Sequence, residues 1–567
     1  MQETLIFSKN NRIPKNKKKI FIGQWLLVGK RNNNKVSKVL KIQEEKQDKL
    51  NQFIYVKKIY NRVLRNITPV LNNIHKKNYK EKDWEILIFY FLYNYIFFAY
   101  NKWILIKNLK KKHNFFPIET FCFKKNFFVQ DDSKSFFDQL KTDKWDDWLF
   151  SNIIKSQNFS FKEKKINTKK KEKRDFNNLN KLKIQKLFLP KNNNKYFLKN
   201  LALPKILKLK LSLKLNKNFR FYNDIYFKRS DNIIIKRDLF KKIKAKDKFE
   251  NFIYNTLSEI FPRSYLENFN FIEKNINYLN WPLNPKVIFT SFEHYFNDVF
   301  KIYTIKKKQE GAKLYLLQHG HQGLHDICLN YYEKKICDRY YTWGNKSKDR
   351  KVYPLFCTTT IGKKVKKNIK SSILLSYTEF FLKPWKSIPL PRVIDETNIY
   401  KNDIINLLKS LSKNLENKIT LKYNTDRSQY ITNNIKKSLK KLDFISTDLK
   451  KRGFEFSNEF KLNIETVNST GFIELLSLNI PVILITDKKF FNVKKEYKNY
   501  YDALIKSKII FFDVKKAADF INQNIDNIDN WWLDRLTQKR IKYFCDNICK
   551  YEEKLDKGLD KIFNKLR

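Results

Sequence analysis

The stretch LNIETVNSTGFIELLSLNIPVILIT, residues 462–486, contains a complete strand–turn–helix–strand pattern. An apolar run ends at Val467, three residues that favour helix N-caps follow at 468–470, and an apolar helix is predicted from Gly471. A second apolar run, 481–486, comes directly after this helix. Two buried strands joined by one helix predict a parallel βαβ unit, and therefore an α/β fold.

The same alternation of strands and helices extends in both directions along the chain. Upstream, the predicted elements are strands at 285–291, 312–320 and 338–344 and a helix at 294–309. After a basic segment at 361–370, further elements are predicted at 371–378, 399–417, 418–424, 508–513 and 514–525. Two separate runs of alternation predict two Rossmann-like domains, and ligands of such sheets bind at the carboxyl ends of the strands. We therefore expect the two sheets to face each other across a cleft.

These boundaries divide the chain into three predicted parts. Residues 1–365 are expected to form the amino-terminal Rossmann-like domain, and 366–530 the carboxyl-terminal Rossmann-like domain. Residues 531–567 are expected to be a helical tail that packs back across the join. A helical layer is predicted over 36–115 and continues at 143–154.

A lysine- and asparagine-rich segment, 157–230, lacks a consistent helical period. Such a composition buries little apolar surface, so we expect an insertion outside the core. Within it, the alternation LKLKLSLKL at 207–215 predicts an exposed edge strand or hairpin protected by lysines. A segment that lies on an anionic membrane is the alternative.

Net charge is the most unusual property of the composition. The chain has 117 Lys and Arg residues against 57 Asp and Glu, a formal charge of +60. Because the lysines are spread along the whole chain, we interpret the charge as background composition, since a nucleic-acid footprint would be clustered on one face. Nucleic acid is therefore not an expected partner, whereas contact with anionic lipid headgroups is compatible with this surface.

Cysteine spacing and hydropathy bear on the expected compartment. The six cysteines show no spacing typical of metal sites or disulfides, and the amino terminus has no apolar signal core. The sequence therefore predicts an intracellular, reduced protein. Residues 86–105 have about the length of a membrane span, but Asn94 and the many aromatic residues favour a buried helix.

A turn rich in histidine and glycine, QHGHQG at 318–323, ends the predicted strand 312–320. This position puts Gln318, His319 and Gly320 at the carboxyl end of a strand, where the second sheet would face them. We therefore expect these three residues at the site.

The histidines of this turn also allow a zinc site. His319, His321 and His325, with Asp326 or Cys328, could supply the three or four ligands that zinc needs. The interleaved glycines favour a tight turn approached by backbone or phosphate instead. We expect His321 and His325 further out on the loop, as structural or surface residues.

The turn at 468–470 has the features of an anion site. Free N–H groups at the start of the helix, the hydroxyls of Ser469 and Thr470 and the positive helix end at Gly471 suit a phosphate group. Glu474 lies one turn further and is also typical of ordinary helix capping. A well-capped helix without a ligand is the alternative.

Taken in order, these motifs resemble a transferase family of O-antigen and surface-polysaccharide gene clusters. The motifs that carry the resemblance are FIGQW (21–25), WDDWLF (145–150), FPRSYLENF (261–269), KLYLLQHGHQG (313–323), DRYYTWG (338–344), VNSTGFIELLSLNIPVILIT (467–486) and WW (531–532). They cover most of the chain outside 157–230. The resemblance implies a GT-B-like fold, and the histidine–glycine turn is similar to that of capsule Kdo transferases and CDP-glycerol glycerophosphotransferases.

The resemblance also implies roles for individual residues. His319 matches the motif histidine, and Ser469, Thr470 and Glu474 match the strand–turn–helix of the donor-binding half. Two positions depart from the family. Gly320 is followed by His-Gln-Gly-Leu where the family has a second glycine and then a tyrosine–glycine pair, and Lys422 stands where an arginine is expected.

The function that the resemblance implies is a metal-independent glycosyltransferase. It would move a sugar from a nucleotide-sugar donor to a surface polysaccharide or lipid-linked glycan of the O-antigen or capsule type. His319 would act as the base. Donor phosphate and nucleotide would be held by Ser469, Thr470, Gly471, Glu474 and Lys422. No cofactor or metal is expected, because the nucleotide sugar is a co-substrate.

Two alternatives stay open from the sequence. The same fold could transfer a polyol phosphate from a cytidine donor, as CDP-glycerol enzymes do. A protein of another class, a non-catalytic basic protein that binds membrane or nucleic acid, would show binding that depends steeply on salt and is indifferent to loss of His319. For the glycosyltransferase we expect a cytoplasmic protein at the inner face of the membrane.

Overall fold

A computed structural model describes residues 2–13, 17–28, 38–40, 46–166, 179–188, 190–216, 220, 222, 237–325, 330–365, 371–380, 394–416, 418–424, 429–439, 442–447 and 453–566. Its strands form two large sheets, of five and six strands, and two small ones, of three and two strands. Every strand pairing within these sheets is parallel.

The amino-terminal part is the predicted helical layer, with the two small sheets beside it. Its elements are β1 (Thr4–Ile6), β2 (Lys19–Phe21), β3 (Lys38–Val39), α1 (Lys46–His75), α2 (Glu81–Lys112), β4 (Ile118–Cys122), α3 (Ser133–Gln139), α4 (Asp143–Ser156) and β5 (Phe161–Lys165). Helix α2 is buried on all sides between Trp84 and Ala99, apart from Tyr90, as expected for a helix that is apolar all round. Across the described ranges, no helix combines the length and the apolarity that a bilayer crossing requires.

A five-stranded sheet follows, with strand order β10-β9-β8-β7-β6. Its region comprises α5 (Leu179–Phe188), β6 (Tyr196–Lys199), α6 (Lys205–Asn216), α7 (Lys248–Ile260), α8 (Phe269–Asn275), β7 (Val287–Thr290), α9 (Glu293–Phe296), α10 (Asp298–Gln309), β8 (Lys313–Leu317), α11 (Asn330–Ile336), β9 (Arg339–Thr342) and β10 (Val352–Pro354). Alternate residues of its strands face opposite sides. Leu314 and Leu316 belong to the core that includes α2 and α10, while Tyr315 and Leu317 pack with α6 and the last helix of the chain.

Two predictions for 157–230 are wrong. Strand β6 is an edge strand of the five-stranded sheet, so this part of the segment belongs to the fold and is not an insertion outside it. Residues 207–215 lie in the helix α6 and not in a strand. Leucine at every second position also places Leu207 and Leu211 one helical turn apart, and both are buried. Residues 167–178 lie outside the described residues.

The six-stranded sheet has the order β13-β12-β11-β14-β15-β16, the doubly wound arrangement. Its elements are β11 (Ser371–Ser376), α12 (Ile394–Ser410), α13 (Lys413–Glu416), β12 (Ile419–Asn424), α14 (Tyr430–Ser438), β13 (Asp443–Thr447), α15 (Gly453–Ser457), β14 (Phe460–Glu465), α16 (Thr470–Ser477), β15 (Val482–Ile485), α17 (Lys498–Lys506), β16 (Ile510–Phe511) and α18 (Val514–Asn524). The strand order reverses between β11 and β14, which is the switch point where such sheets bind ligands.

The tail connects the two halves a second time. It consists of α19 (Ile528–Trp532), α20 (Arg535–Ile548) and α21 (Leu555–Leu566). Helix α20 packs on α17, next to the six-stranded sheet, whereas α21 packs on α6, next to the five-stranded sheet. Between them, the N–H of Lys550 donates to the carbonyl of Trp343 at 2.8 Å. The predicted boundary at 365/366 falls between the two sheets; residues 366–370 lie outside the described residues.

Candidate functional site

The turn after β8 is held by the side chain of Gln318. Its Nε2 donates to the carbonyl of Gly320 at 2.7 Å, and its Oε1 accepts from the N–H of Trp343 at 2.9 Å. The backbone N–H of Gln318 donates to the carbonyl of Tyr341 at 2.8 Å. Because these contacts tie the turn to the ends of β8 and β9 and are buried, the orientation of the next residue, His319, is fixed.

His319 lies in a pocket of aromatic side chains with one edge open. Its ring centroid is 4.6 Å from that of Phe292 and 5.5 Å from that of Tyr295, and its side chain is 16% exposed. Nδ1 is buried and has no hydrogen-bond partner, but lies 4.0 Å from Oε1 of Glu333. Burial lowers the pKa of His319, and the Glu333 carboxylate opposes part of that shift. The imidazole is therefore neutral near pH 7.

Glu333 is a buried carboxylate that the sequence analysis missed. Oε1 accepts from Tyr295 at 2.5 Å and faces Nε2 of His294 at 3.0 Å, and Oε2 accepts from Tyr340 at 2.9 Å. Although burial by itself would raise it, these hydrogen bonds and the neighbouring histidines bring the pKa of Glu333 down to about 2. The carboxylate is thus charged at every physiological pH, next to His319.

Gly320 and His321 make direct contact with Thr470, the first residue of α16 in the carboxyl-terminal half. The N–H of His321 donates to Oγ1 of Thr470 at 3.4 Å, and its ring Nδ1 lies 3.3 Å from the same oxygen. A Cβ on Gly320 would stand 2.9 Å from Oγ1 of Thr470, closer than side-chain carbons approach. Glycine at 320 is therefore required by the close approach of the two strand-end turns.

The expected position of His321 and His325 on the outer loop is wrong. Nε2 of His325 lies 2.8 Å from Nε2 of His321, and the other nitrogen of His325 hydrogen-bonds to the carbonyl of Asn492. Burial lowers the pKa of both, that of His325 to about 4. The pair is an internal connection between the halves, which a turn motif alone does not indicate.

The zinc site considered from the sequence is not supported by the part of the chain that the structure describes. Within those ranges, no group of three or more His, Cys, Asp or Glu side chains is placed to hold a metal ion. Asp326 and Cys328, the two further ligands considered from the sequence, lie outside the described residues.

Ser469 is the N-cap of α16. Its Oγ accepts from the N–H of Phe472 at 3.2 Å and donates to Oε2 of Glu465, also at 3.2 Å. The capping role considered from the sequence is therefore real, and it uses the Ser469 hydroxyl. A Cβ on Gly471 would lie 3.6 Å from Oε1 of Glu465, an ordinary contact distance, so the first turn of α16 lies close to that carboxylate.

Lys422, Ser376 and Glu465 form a row across three neighbouring strands. Lys422 of β12 is the register partner of Ser376 of β11, which is in turn the partner of Glu465 of β14. Burial raises the pKa of Glu465, and the positive charge of Lys422 opposes this rise. The row crosses the switch point of the sheet. Glu465 was missed as a site residue, although a carboxylate that ends an apolar strand is a usable signal.

Glu474 has a different environment from the one expected. It is buried on α16, and its carboxylate adds to the effect of burial in raising the pKa of Cys357 to about 11. Cys357 follows β10 and belongs to the amino-terminal half. Glu474 thus lies near the join between the halves, whereas Glu465 is the carboxylate that contacts Ser469.

Two facing Rossmann-like sheets, with a histidine turn from one against a helix N-terminus of the other, define a GT-B-like protein. The GT-B-like α/β fold expected from the sequence is confirmed by this arrangement. The family model described as LIC12162 family transferase matches residues 4–563, and the chain belongs to this family of transferases. No protein in the curated set matches the chain.

Solved structures give distant likenesses. A UDP-N-acetylglucosamine 2-epimerase is 12% identical, covering 66% of this chain and 96% of its own, with a TM-score of 0.36. A trehalose 6-phosphate synthase from Burkholderia multivorans is 8% identical over 66% and 96%, with a TM-score of 0.33. A structure described as "Trehalose-6-phosphate from E. coli bound with UDP-2-fluoro glucose" is 10% identical over 65% and 98%, with a TM-score of 0.34. The fold assignment rests on the two sheets themselves.

Proposed function

We propose that this transferase moves a sugar from a nucleotide-activated donor to a surface polysaccharide or lipid-linked glycan of the O-antigen or capsule type. The proposal includes a cytoplasmic location with peripheral contact to the inner face of an anionic membrane. It needs neither a bound metal nor a cofactor beyond the donor itself.

The observation that carries the proposal is the contact of Gly320 and His321 with Thr470. This contact brings the turn that carries His319 from one half to the positive N-terminus of α16 in the other. A transfer reaction between two bound substrates needs this combination: a base for the acceptor hydroxyl and a stabilising site for the leaving phosphate.

On the acceptor side, His319 is the proposed base. Because its Nδ1 is directed at Glu333, the tautomer with the proton on Nδ1 is favoured, and Nε2 is then the nitrogen free to accept a proton. Glu333 would stabilise the imidazolium that forms during transfer. Gln318 keeps the turn in place.

On the donor side, the phosphate is proposed to bind at the start of α16. Thr470 and the backbone N–H groups near Gly471 would contact it, while Ser469 keeps the helix capped and Lys422 adds positive charge. Glu465 is proposed to accept hydrogen bonds from ribose hydroxyls. Its contact with Ser469 makes it better placed for this role than Glu474.

A two-stage experiment tests the proposal. First, thermal shifts are measured against uridine, guanosine, adenosine and cytidine diphosphate sugars and CDP-glycerol, because a ligand at a hundred times its Kd adds about 2.7 kcal/mol of stability. The donor that binds is then incubated with membrane extract, and products are analysed for a glycosidic bond or a new phosphodiester. A phosphodiester product would show that the protein transfers a polyol phosphate and not a sugar.

The catalytic role of His319 has its own variants. We expect His319→Ala to lower turnover about 10²-fold to 10⁴-fold with little change in donor affinity. His321→Ala serves as a control from the same turn and should mainly lower stability, because His321 contacts protein groups on both of its sides. Equal activity of wild type and His319→Ala would contradict the proposed base. Retained activity after chelator treatment is expected, and its loss would contradict metal independence.

A further inference from the structure

Helix α6 carries two apolar stripes on different sides. Leu207 and Leu211 are buried against the sheet, whereas Ile206, Leu209 and Leu213 are exposed. The exposed residues are spaced by three and four positions, so they share one face of the helix. The alternating sequence of this segment therefore gives one stripe to the core and leaves a second one facing solvent.

Helix α5 exposes a stripe of the same kind. Ile184, Leu187 and Phe188 are separated by three and four positions, and Leu187 and Phe188 are each 82% exposed. Of the fourteen large apolar side chains exposed in the described part of the chain, six belong to these two short helices. Soluble surfaces seldom gather apolar groups in this way without a binding purpose.

The two helices precede and follow the edge strand β6 in the chain. Asn216 at the end of α6 hydrogen-bonds to the backbone of Tyr196, the first residue of β6. Arg220 donates to the carbonyl of Pro190, two residues after the end of α5. Leu213 is close in sequence to Asn216, and Phe188 is close in sequence to Pro190. Both residues are therefore near contacts at the same end of the sheet edge.

The start of α6 lies near the proposed site. The N–H of Ala202, just before α6, donates to Oγ of Ser291 at 2.9 Å, and the next residue, Phe292, packs against His319. Helix α6 thus runs from the neighbourhood of the proposed base along the edge of the sheet. An acceptor whose lipid lies beside α6 would have a short path to the cleft.

The charged residues of the two helices themselves have one sign. The two helices contain seven lysines and no acidic residue. Lys210 and Lys214 form ion pairs with Asp556 at 2.8 Å and with Asp560 at 2.5 Å, both on α21. Lysine suits an interface, because the aliphatic part of its side chain can lie on apolar surface while the ammonium group reaches outward.

We infer that α5 and α6 form a docking surface for an anionic lipid bilayer. Apolar side chains that enter the headgroup boundary, flanked by lysines that attract anionic headgroups, are the combination by which surface helices bind membranes. The shared positive sign of α5 and α6 disfavours the same face of a second copy, because like charges would meet. The membrane contact included in the proposed function would occur at this surface. Binding there does not depend on the transfer chemistry.

Sedimentation of the full-length protein with vesicles tests the inference. The vesicles are phosphatidylcholine alone or phosphatidylcholine with about one third phosphatidylglycerol. We expect binding to the anionic vesicles only, and weaker binding at high salt. The variants Leu187→Ser/Phe188→Ser and Leu209→Ser/Leu213→Ser should each lower the partition coefficient about tenfold. All four residues are exposed, so the melting temperature should stay unchanged.

Leu533→Ser/Leu536→Ser is the matched control, because these leucines are also exposed but lie at α20, away from α5 and α6. An equal loss of binding in this control would overturn the inference. So would equal binding of the wild type to both vesicle types, or an oligomer that dissociates in the α5 and α6 variants without any vesicle binding. Transfer to a water-soluble acceptor should be unchanged in all variants, so failure of docking and failure of the proposed transfer are distinguished.

Discussion

Oε1 of Glu333 lies 4.0 Å from Nδ1 of His319, although the two residues come from α11 and from the turn after β8. Both atoms are in an interior where the carboxylate is anchored by Tyr295 and Tyr340. A shift of the imidazole by about 1 Å, or one bridging water, would complete the hydrogen bond. The charged partner of the proposed base is therefore already in place before any substrate binds.

Glu333→Gln should lower kcat by about tenfold to a hundredfold and leave donor affinity unchanged, because it removes the charge that stabilises the His319 imidazolium. Steady-state kinetics and donor titration measure the two quantities. Tyr340→Phe is the control, since it removes one hydrogen bond to Glu333 and keeps the carboxylate. A full turnover rate in Glu333→Gln would remove Glu333 from the mechanism.

The pH profile should identify His319 as the base. Because burial lowers the pKa of His319 below its ordinary value of 6.5, the acid limb of kcat/KM should have its midpoint below pH 6.5. The Glu333 carboxylate raises the pKa of His319, so Glu333→Gln should move this acid limb to lower pH. A limb that stays in place, or moves upward, would point to another titrating group.

Gly320→Ala should disrupt the contact between the halves, because the added Cβ would stand 2.9 Å from Oγ1 of Thr470. We expect a loss of about 1–3 kcal/mol in stability and lower activity. Thr470→Ala removes that oxygen, so the double variant Gly320→Ala/Thr470→Ala should be more stable than the sum of the single changes predicts. Strict additivity in chemical denaturation would show that the two turns do not touch.

Stability should depend on His75 in mildly acidic solution. Burial lowers the pKa of His75 to about 4. Above pH 6.5 this histidine is neutral in both the folded and the unfolded chain, but below it the unfolded chain takes up the proton first. Stability is therefore lost as pH falls from 6.5 towards 4, by up to about 3 kcal/mol for this residue.

The measurement is denaturant unfolding of wild type and His75→Gln at several pH values between 7.5 and 5. Asp403, whose pKa is raised to about 6, has the opposite effect in both proteins and cancels from the comparison. The difference in unfolding free energy between the two proteins should shrink as pH falls. A constant difference would contradict the lowered pKa of His75.

The sequence predicted the two sheets because most of their strands are short apolar runs bounded by polar turns, as at β8 and β14. It missed β6 because YFLK is only four residues long at a sheet edge, within a lysine- and asparagine-rich segment. It assigned 207–215 to a strand because leucine at every second position fits both periods, and only the packing of Leu207 and Leu211 decides between them.

For the candidate site, strand-end position was sufficient to predict that the turn with His319 and Gly320 lies opposite Thr470, while the roles of these residues stay predictions. His294 could have been found by the same rule, since it comes soon after the strand predicted at 285–291. Glu333 could not, because its partners are brought together from α9, β9 and the turn after β8, and no local spacing records this. The internal pairing of His321 with His325 likewise depends on contacts with residues more than a hundred positions away.

The position of α21 on α6 has a consequence for the order in which the protein matures. Leu559 and Ile562 complete the apolar cluster on one face of the five-stranded sheet, and they come from α21, which follows the whole six-stranded sheet in the chain. During synthesis the amino-terminal half emerges first, yet this cluster is completed only after the strands of the other half have been made. The half that is made first is therefore not the half that is finished first.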